Sequence, residues 1–135
     1  MAFEITTLQL KDTTDLYLLH PVTGEELEDD KGNKVIITLY GTSSKEYRNA
    51  ITALQNRAAS RKNKPFKPEQ AKLEIIELLT ECTAKISGLA IHGKEPETKD
   101  DYRAMYSDDS LSWIKDQVDA AIGDQSNFLE QSKVS

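Results

Sequence analysis

The hydrophobic positions of the chain follow two rhythms, with the change near Thr42. Ahead of it, Phe3-Glu4-Ile5-Thr6-Thr7 alternates apolar with polar, and residues 16–19 form a short apolar run before His20-Pro21. Residues 34–40 (KVIITLY) are dense in β-branched side chains. Successive side chains of a strand point to opposite faces, so these pieces predict strands, with 16–19 and 34–40 the firmest. Asp30-Lys31-Gly32-Asn33 supplies turn chemistry, and a hairpin closing near Gly32 follows, because glycine accepts positive φ without a steric penalty. A sheet this small needs a helix over its apolar face.

Beyond Thr42 the period is 3.6. Ser43 and Glu46 have capping-box spacing, and Tyr47, Ala50, Ile51, Leu54 and Ala58 then form one stripe, which predicts a helix over 44–60. Residues 61–68 hold two prolines and four basic residues and read as a connector. A second helix is predicted from Pro68 to Ser87, with Ala71, Ile75, Leu78, Leu79, Cys82 and Ile86 inward and Gly88 as its C-cap. Residues 89–93 fit a short extended piece. Thr98 and Asp101 repeat the capping-box spacing ahead of Tyr102, Met105 and Tyr106. Asp109 or Ser110 opens a last helix with Trp113, Ile114, Gln117, Val118, Ala121 and Ile122, closed by Gly123. Phe128 and Leu129 suit a final turn, and 130–135 a frayed tail. The pattern predicts one α+β domain: an antiparallel β-meander over 1–41 and a mostly helical body over 42–129.

Composition narrows the function classes. Of 135 residues, 38% are apolar and 30% charged, with a formal net charge of −6. No apolar run approaches the roughly 20 residues that span a bilayer, and the first residues have no secretory pattern. The lone Cys82 fits a reducing compartment and a place in the core. His20 and His92 each sit beside a turn with no ligand partner at metal spacing, and no phosphate-cradling glycine motif occurs. The expectation is a non-enzyme without metal or cofactor.

Two features point to partners instead. Arg57, Arg61, Lys62, Lys64, Lys67 and Lys72 stand against Glu69 alone, a local charge of +5 that suits an acidic protein or a nucleic acid. Glu25, Glu26, Glu28, Asp29 and Asp30 form a run of −5. Their opposite signs predict salt-sensitive head-to-tail self-association. The aromatics gather late, at Tyr102, Tyr106, Trp113 and Phe128, and Tyr and Trp supply apolar area with a polar tip at interfaces. These four, with Arg57, Arg61, Lys62, Lys64 and Lys67, are the candidate partner-binding residues, and Trp113 is also expected to be buried in the helical body.

LYLLHPVTGEELEDDKGNKVIITLYGTSSKEYRNA resembles the N-terminal pattern of phage tail assembly chaperones: strand, H-P-x-T-G-E turn, strand, then an S-x-E-x-R-x-A helix start. DSLSWIKDQVDAAIGDQSNFL is similar to that family's closing signature. The resemblance spans 15–129. It implies a non-enzymatic protein that keeps the tape measure protein soluble while tail tube subunits are recruited in the host cytoplasm, and that is absent from the mature virion. A small intracellular adaptor, and a nucleic-acid binder centred on the basic connector, stay open as alternatives.

Overall fold

Hydrogen bonds and burial arrange the chain around one strand. The computed structural model describes residues 2–61 and 68–129, and among these β2 (Ile36–Tyr40) is the centre. It pairs antiparallel with β1 (Thr13–Tyr17) on one side and β3 (Thr83–Ser87) on the other. Val35, Ile37 and Leu39 are buried at alternate positions, as a half-covered sheet requires. The cover comes from α2 (Pro68–Glu81), α3 (Lys99–Ser107) and α4 (Ser112–Gly123), which contribute Ile76, Leu79, Tyr102, Met105, Tyr106, Ile114, Val118 and Ile122 to the same core. The result is a two-layer α+β domain. No helix among the described residues is long and apolar enough to cross a membrane.

Between β1 and β2 the chain makes the hairpin expected near Gly32, where φ is +83° and Glu28 faces Lys34. Asp29 holds this turn by accepting from the Lys31 and Asn33 amides at 2.9 and 2.8 Å. Leu18, Leu27 and Val35 then share a ring of backbone bonds. Leu18 N–H donates to Val35 O, Val35 N–H to Leu27 O and Leu27 N–H to Leu18 O, all within 3.1 Å.

α1 (Lys45–Arg61) begins on Ser44 rather than Ser43: the Ser44 hydroxyl accepts from the Tyr47 amide at 3.0 Å, the N-cap role. Ser43 instead points its hydroxyl at Lys11 O. The first half of α1 packs on α2, and residues 55–60 are exposed. The expected capping box of Thr98 and Asp101 opens α3. Gly123 lies within α4, and Asp124, not a left-handed glycine, is the C-cap.

The largest departure from the sequence reading is β3. The helix expected to reach Ser87 stops at Glu81, and the next residues cross into the sheet. Lys99 Nζ donates to the carbonyls of Thr80, Glu81 and Thr83 at 3.1, 3.3 and 2.9 Å, which satisfies helix-end acceptors and draws the chain out of the helix. The Tyr40 amide reaches Cys82 O at 2.7 Å, the first bond on the sheet side. Ile86 falls four residues after Cys82, as on a helical stripe, yet it faces Ile37 across the sheet. A register shift between Thr38 and Leu39 leaves Ala84 as the extra residue of a bulge. Gly88 does take positive φ, +78°, but it turns the chain out of β3 instead of capping a helix. The buried face of α2 is correspondingly rotated: Ile76, Leu79 and Thr80 are inside, while Leu73 and Ile75 are exposed. The alternating residues 3–7 do not form a strand: Ile5–Leu8 is a 3₁₀ turn, and no strand pairs with it among the described residues. The frayed tail expected over 130–135 lies outside the described residues.

A latch closes the fold at its far end. The 3₁₀ turn Gln125–Phe128 places the buried Phe128 ring against Gly41, where a Cβ would stand 2.6 Å from ring carbons. Phe128 O accepts from the Lys11 amide at 2.6 Å and Asn127 O from the Thr14 hydroxyl at 2.6 Å. Gly41→Ala should therefore displace the latch and destabilise the protein by about 1–3 kcal/mol, read from urea unfolding. Alkali should also weaken the fold. Burial pushes the Cys82 thiol up from 9.0 to about 12 and raises the Tyr106 hydroxyl. The unfolded chain releases these protons first, so unfolding free energy should fall as the pH rises above about 9. An unfolding free energy that stays level up to pH 11 would contradict this.

Candidate partner-binding groove

Two tight turns and one helix start build an open apolar hollow. The first turn begins at His20, whose Nδ1 accepts from the Val22 and Thr23 amides at 3.1 and 3.2 Å. Gly24 at φ +74° and the bond from the His20 amide to Glu25 O, 2.7 Å, complete the reversal and bring Leu27 back toward the body. The turn is fastened to α4 by Gln117. Its amide exchanges two bonds with the Leu19 backbone, Leu19 N–H to Oε1 and Nε2–H to Leu19 O, both 2.9 Å, as a neighbouring strand would.

The second turn is His92-Gly93. Both residues have positive φ, +51° and +80°, and Ile91 and Lys94 exchange backbone bonds at 2.8 and 3.1 Å. That is the type I′ hairpin pattern, whose central positions disfavour most side chains. His92 is the one non-glycine with positive φ among the described residues, a cost of order 1–2 kcal/mol that the flanking bonds hold in place.

Between these turns and the start of α4 lies a groove of about 520 Å³, walled by Leu27, Leu89, Ile91, Leu111, Trp113 and Ile114. A hollow of about 220 Å³ continues it past His92 and Asp108 toward Met105. The rim is polar: His20 and His92 on one side, Asp108 and Ser110 on the other. The Ser110 hydroxyl and amide, and then His92, hold the Asp108 carboxyl below its usual range. The groove offers apolar area with a few polar groups at its rim, the composition of a ligand or partner pocket. No cluster of three His, Cys, Asp or Glu able to hold a metal forms among the described residues. Cys82 is fully buried and its raised pKa keeps it a thiol.

The structure separates the expected partner residues. Tyr102, Tyr106 and Phe128 are core side chains, not surface anchors. Tyr106 OH meets the Thr83 hydroxyl at 2.7 Å, so even its polar tip is consumed inside. Trp113 is half-buried rather than buried, because one side of its ring forms the groove wall. Arg57 is exposed on α1 beside Glu77 and Glu81, and Arg61 ends that helix. Lys62, Lys64 and Lys67, like the connector they belong to, lie outside the described residues. Lys72 is paired with Asp109. The acidic run is likewise engaged: Glu26 and Glu28 both meet Lys34, and Asp29 is spent on its turn. The groove residues Leu27, Leu89, Ile91 and Leu111 escaped the sequence reading. Their one local sign was His92-Gly93, a two-residue turn between Ile91 and Lys94.

Comparison of the chain with protein-family models, with curated proteins and with solved structures finds no match in any of the three.

Two outcomes follow from this geometry. Trp113→Ala should cost about 1–2 kcal/mol in urea unfolding, under the roughly 3–5 typical of a fully buried tryptophan, because the side chain is only partly buried and lines the groove. Cys82 should stay unmodified by a thiol reagent at pH 8 in the folded protein and react at once in denaturant.

Proposed function

We propose that this protein is a non-enzymatic tail assembly chaperone, which covers apolar stripes of a tape measure protein while tail tube subunits are recruited. One observation carries the reading. The two stretches that resemble that family both contribute to the groove, from positions some ninety residues apart, and residues 89–92 complete its wall. His20, Pro21 and Leu27 come from the first, and Leu111, Trp113 and Ile114 from the second. An elongated helical client needs shelter for an apolar stripe, and a groove of this kind accepts such a stripe in the helix-in-groove manner. Several copies along one client would add their weak contacts. The proposed setting is the host cytoplasm, with the protein released before the virion is complete. Of the basic segment on which the nucleic-acid alternative rests, Lys72 is already paired with Asp109.

Co-expression with a tape measure protein from a long-tailed phage tests the reading. The client should stay in the soluble fraction with the native chaperone and precipitate without it. Ala90 is an exposed residue of the groove wall, so Ala90→Glu should leave the fold intact and abolish the rescue. A client equally soluble with and without the native protein would refute the proposal.

A further inference from the structure

The outer edge of the sheet along β1 is closed at both ends and open between them. Antiparallel strands bond at alternate residues, and the residues in between turn their N–H and C=O groups to the other side. In β1 the even residues face β2: Asp12 O accepts from the Gly41 amide at 2.8 Å, and the Leu18 amide donates to Val35 O at 3.0 Å. Of the outward set, Lys11 is taken up by Phe128 O and Leu19 by the Gln117 side chain. Thr13, Asp15 and Tyr17 belong to the same set, and their amides and carbonyls meet no partner among the described residues. The opening reaches the core. Leu18, beside the Gln117 closure, is 0% exposed, whereas Leu16 on the same face is only half-buried. The opposite edge differs, because the bulge at Ala84 and the bond from Lys99 to Thr83 O break up the row that β3 would present.

We propose that this edge receives a short extended segment of a different protein, which pairs with Thr13–Tyr17 as an added strand. A row of alternating donors and acceptors is matched by another extended backbone, and the side chains around it state what that segment carries. Asp15 lies on the face of the sheet away from the core, where its carboxylate accepts from the Thr38 hydroxyl at 2.8 Å. It is thus held across the sheet and does not lean over the edge, where it would bar a neighbour. The residue opposite Asp15 is Lys or Arg, since cross-strand pairs of opposite charge are favourable and the chain as a whole carries −6. The two residues flanking it turn to the other face, beside Thr14 and the half-buried Leu16, and are apolar. The closures at Lys11 and Leu19 leave room for about five residues, roughly 17 Å of extended chain, so the segment leaves the sheet at both ends. A second copy does not fit this description: two β1 edges paired about their centres would set Asp15 against Asp15. The edge shares no residue with the groove, and the inference holds whether or not the client proposed above is correct.

Amide hydrogen exchange of the isotope-labelled full chain tests this, with two end-blocked peptides as probes, Thr-Val-Lys-Val-Thr and Thr-Val-Glu-Val-Thr. Without peptide, the Thr13, Asp15 and Tyr17 amides should exchange fast and those of Thr14 and Leu16 slowly, as the pairing with β2 dictates. The lysine peptide at about ten times its Kd should slow the three fast amides about tenfold. It should also bind several-fold tighter than the glutamate peptide. Asp15→Lys leaves the backbone as it is and should reverse that order, a swing of about tenfold. Asp15→Pro removes an outward amide that β2 does not use, so the fold should survive while binding is lost. The proposal is overturned if the lysine peptide gives no saturable protection of the three amides, or if native protein and Asp15→Lys show the same preference. It is overturned equally if raising the protein concentration alone protects these amides, since the occupant would then be a second copy.

Discussion

The ammonium group of Lys99 sits where three carbonyls converge, and much of the fold hangs on that meeting. A helix end leaves its last carbonyls without partners, and a cation there satisfies them and opposes the helix dipole. Here the donor comes from the first residue of α3, eighteen positions beyond Glu81, so the end of α2 and the start of α3 are fixed by one group. With α2 stopped at Glu81, residues 83–87 are free to pair with β2, and Thr83 points its hydroxyl both to Leu79 O and to Tyr106. The end of α2, the entry to the third strand and the seat of α3 thus meet at a single charged side chain. Charge-assisted bonds of this kind are about twice as strong as neutral ones, and three of them share one donor.

That arrangement also explains what could be read along the chain and what could not. Local signals were legible: the Gly32 turn, the alternation of Val35, Ile37 and Leu39, and the Thr98–Asp101 box all depend on neighbours a few residues away. The α2 to β3 switch was illegible, because Cys82 and Ile86 keep helical spacing and the group that ends the helix is remote in sequence. The same limit hid the groove. Trp113 stood out as an aromatic, but its half-exposure depends on Leu27 and Ile91, which two separate turns carry to it. Tyr102, Tyr106 and Phe128 looked alike as anchors, and composition alone could not tell a core ring from a surface ring.

Several polar residues within the resembling stretches turn out to do backbone work. His20 collects two amides, Gln117 stands in for a strand beside Leu19, and Asn127 ties Ala121 O to the latch. Each satisfies main-chain groups where the chain leaves regular structure, which buried or half-buried backbone requires. Their replacement would damage the scaffold before it touched any partner. The part of these stretches left over for recognition is apolar: Pro21, Leu27, Leu111 and Trp113 around the groove.

Charge and apolar surface thus have separate tasks in this molecule. Lys34 with Glu26 and Glu28, Lys72 with Asp109, and Arg103 with Glu77 and Asp100 pair within the chain. Exposed pairs like these contribute little to stability, about 0–1 kcal/mol each, but they lower the charge that remains for a partner. Apolar surface stays open elsewhere, at Phe3, Ile5 and Leu8 ahead of β1 and in the groove at the start of α4 among other places. A net charge of −6 opposes indiscriminate clustering at a distance.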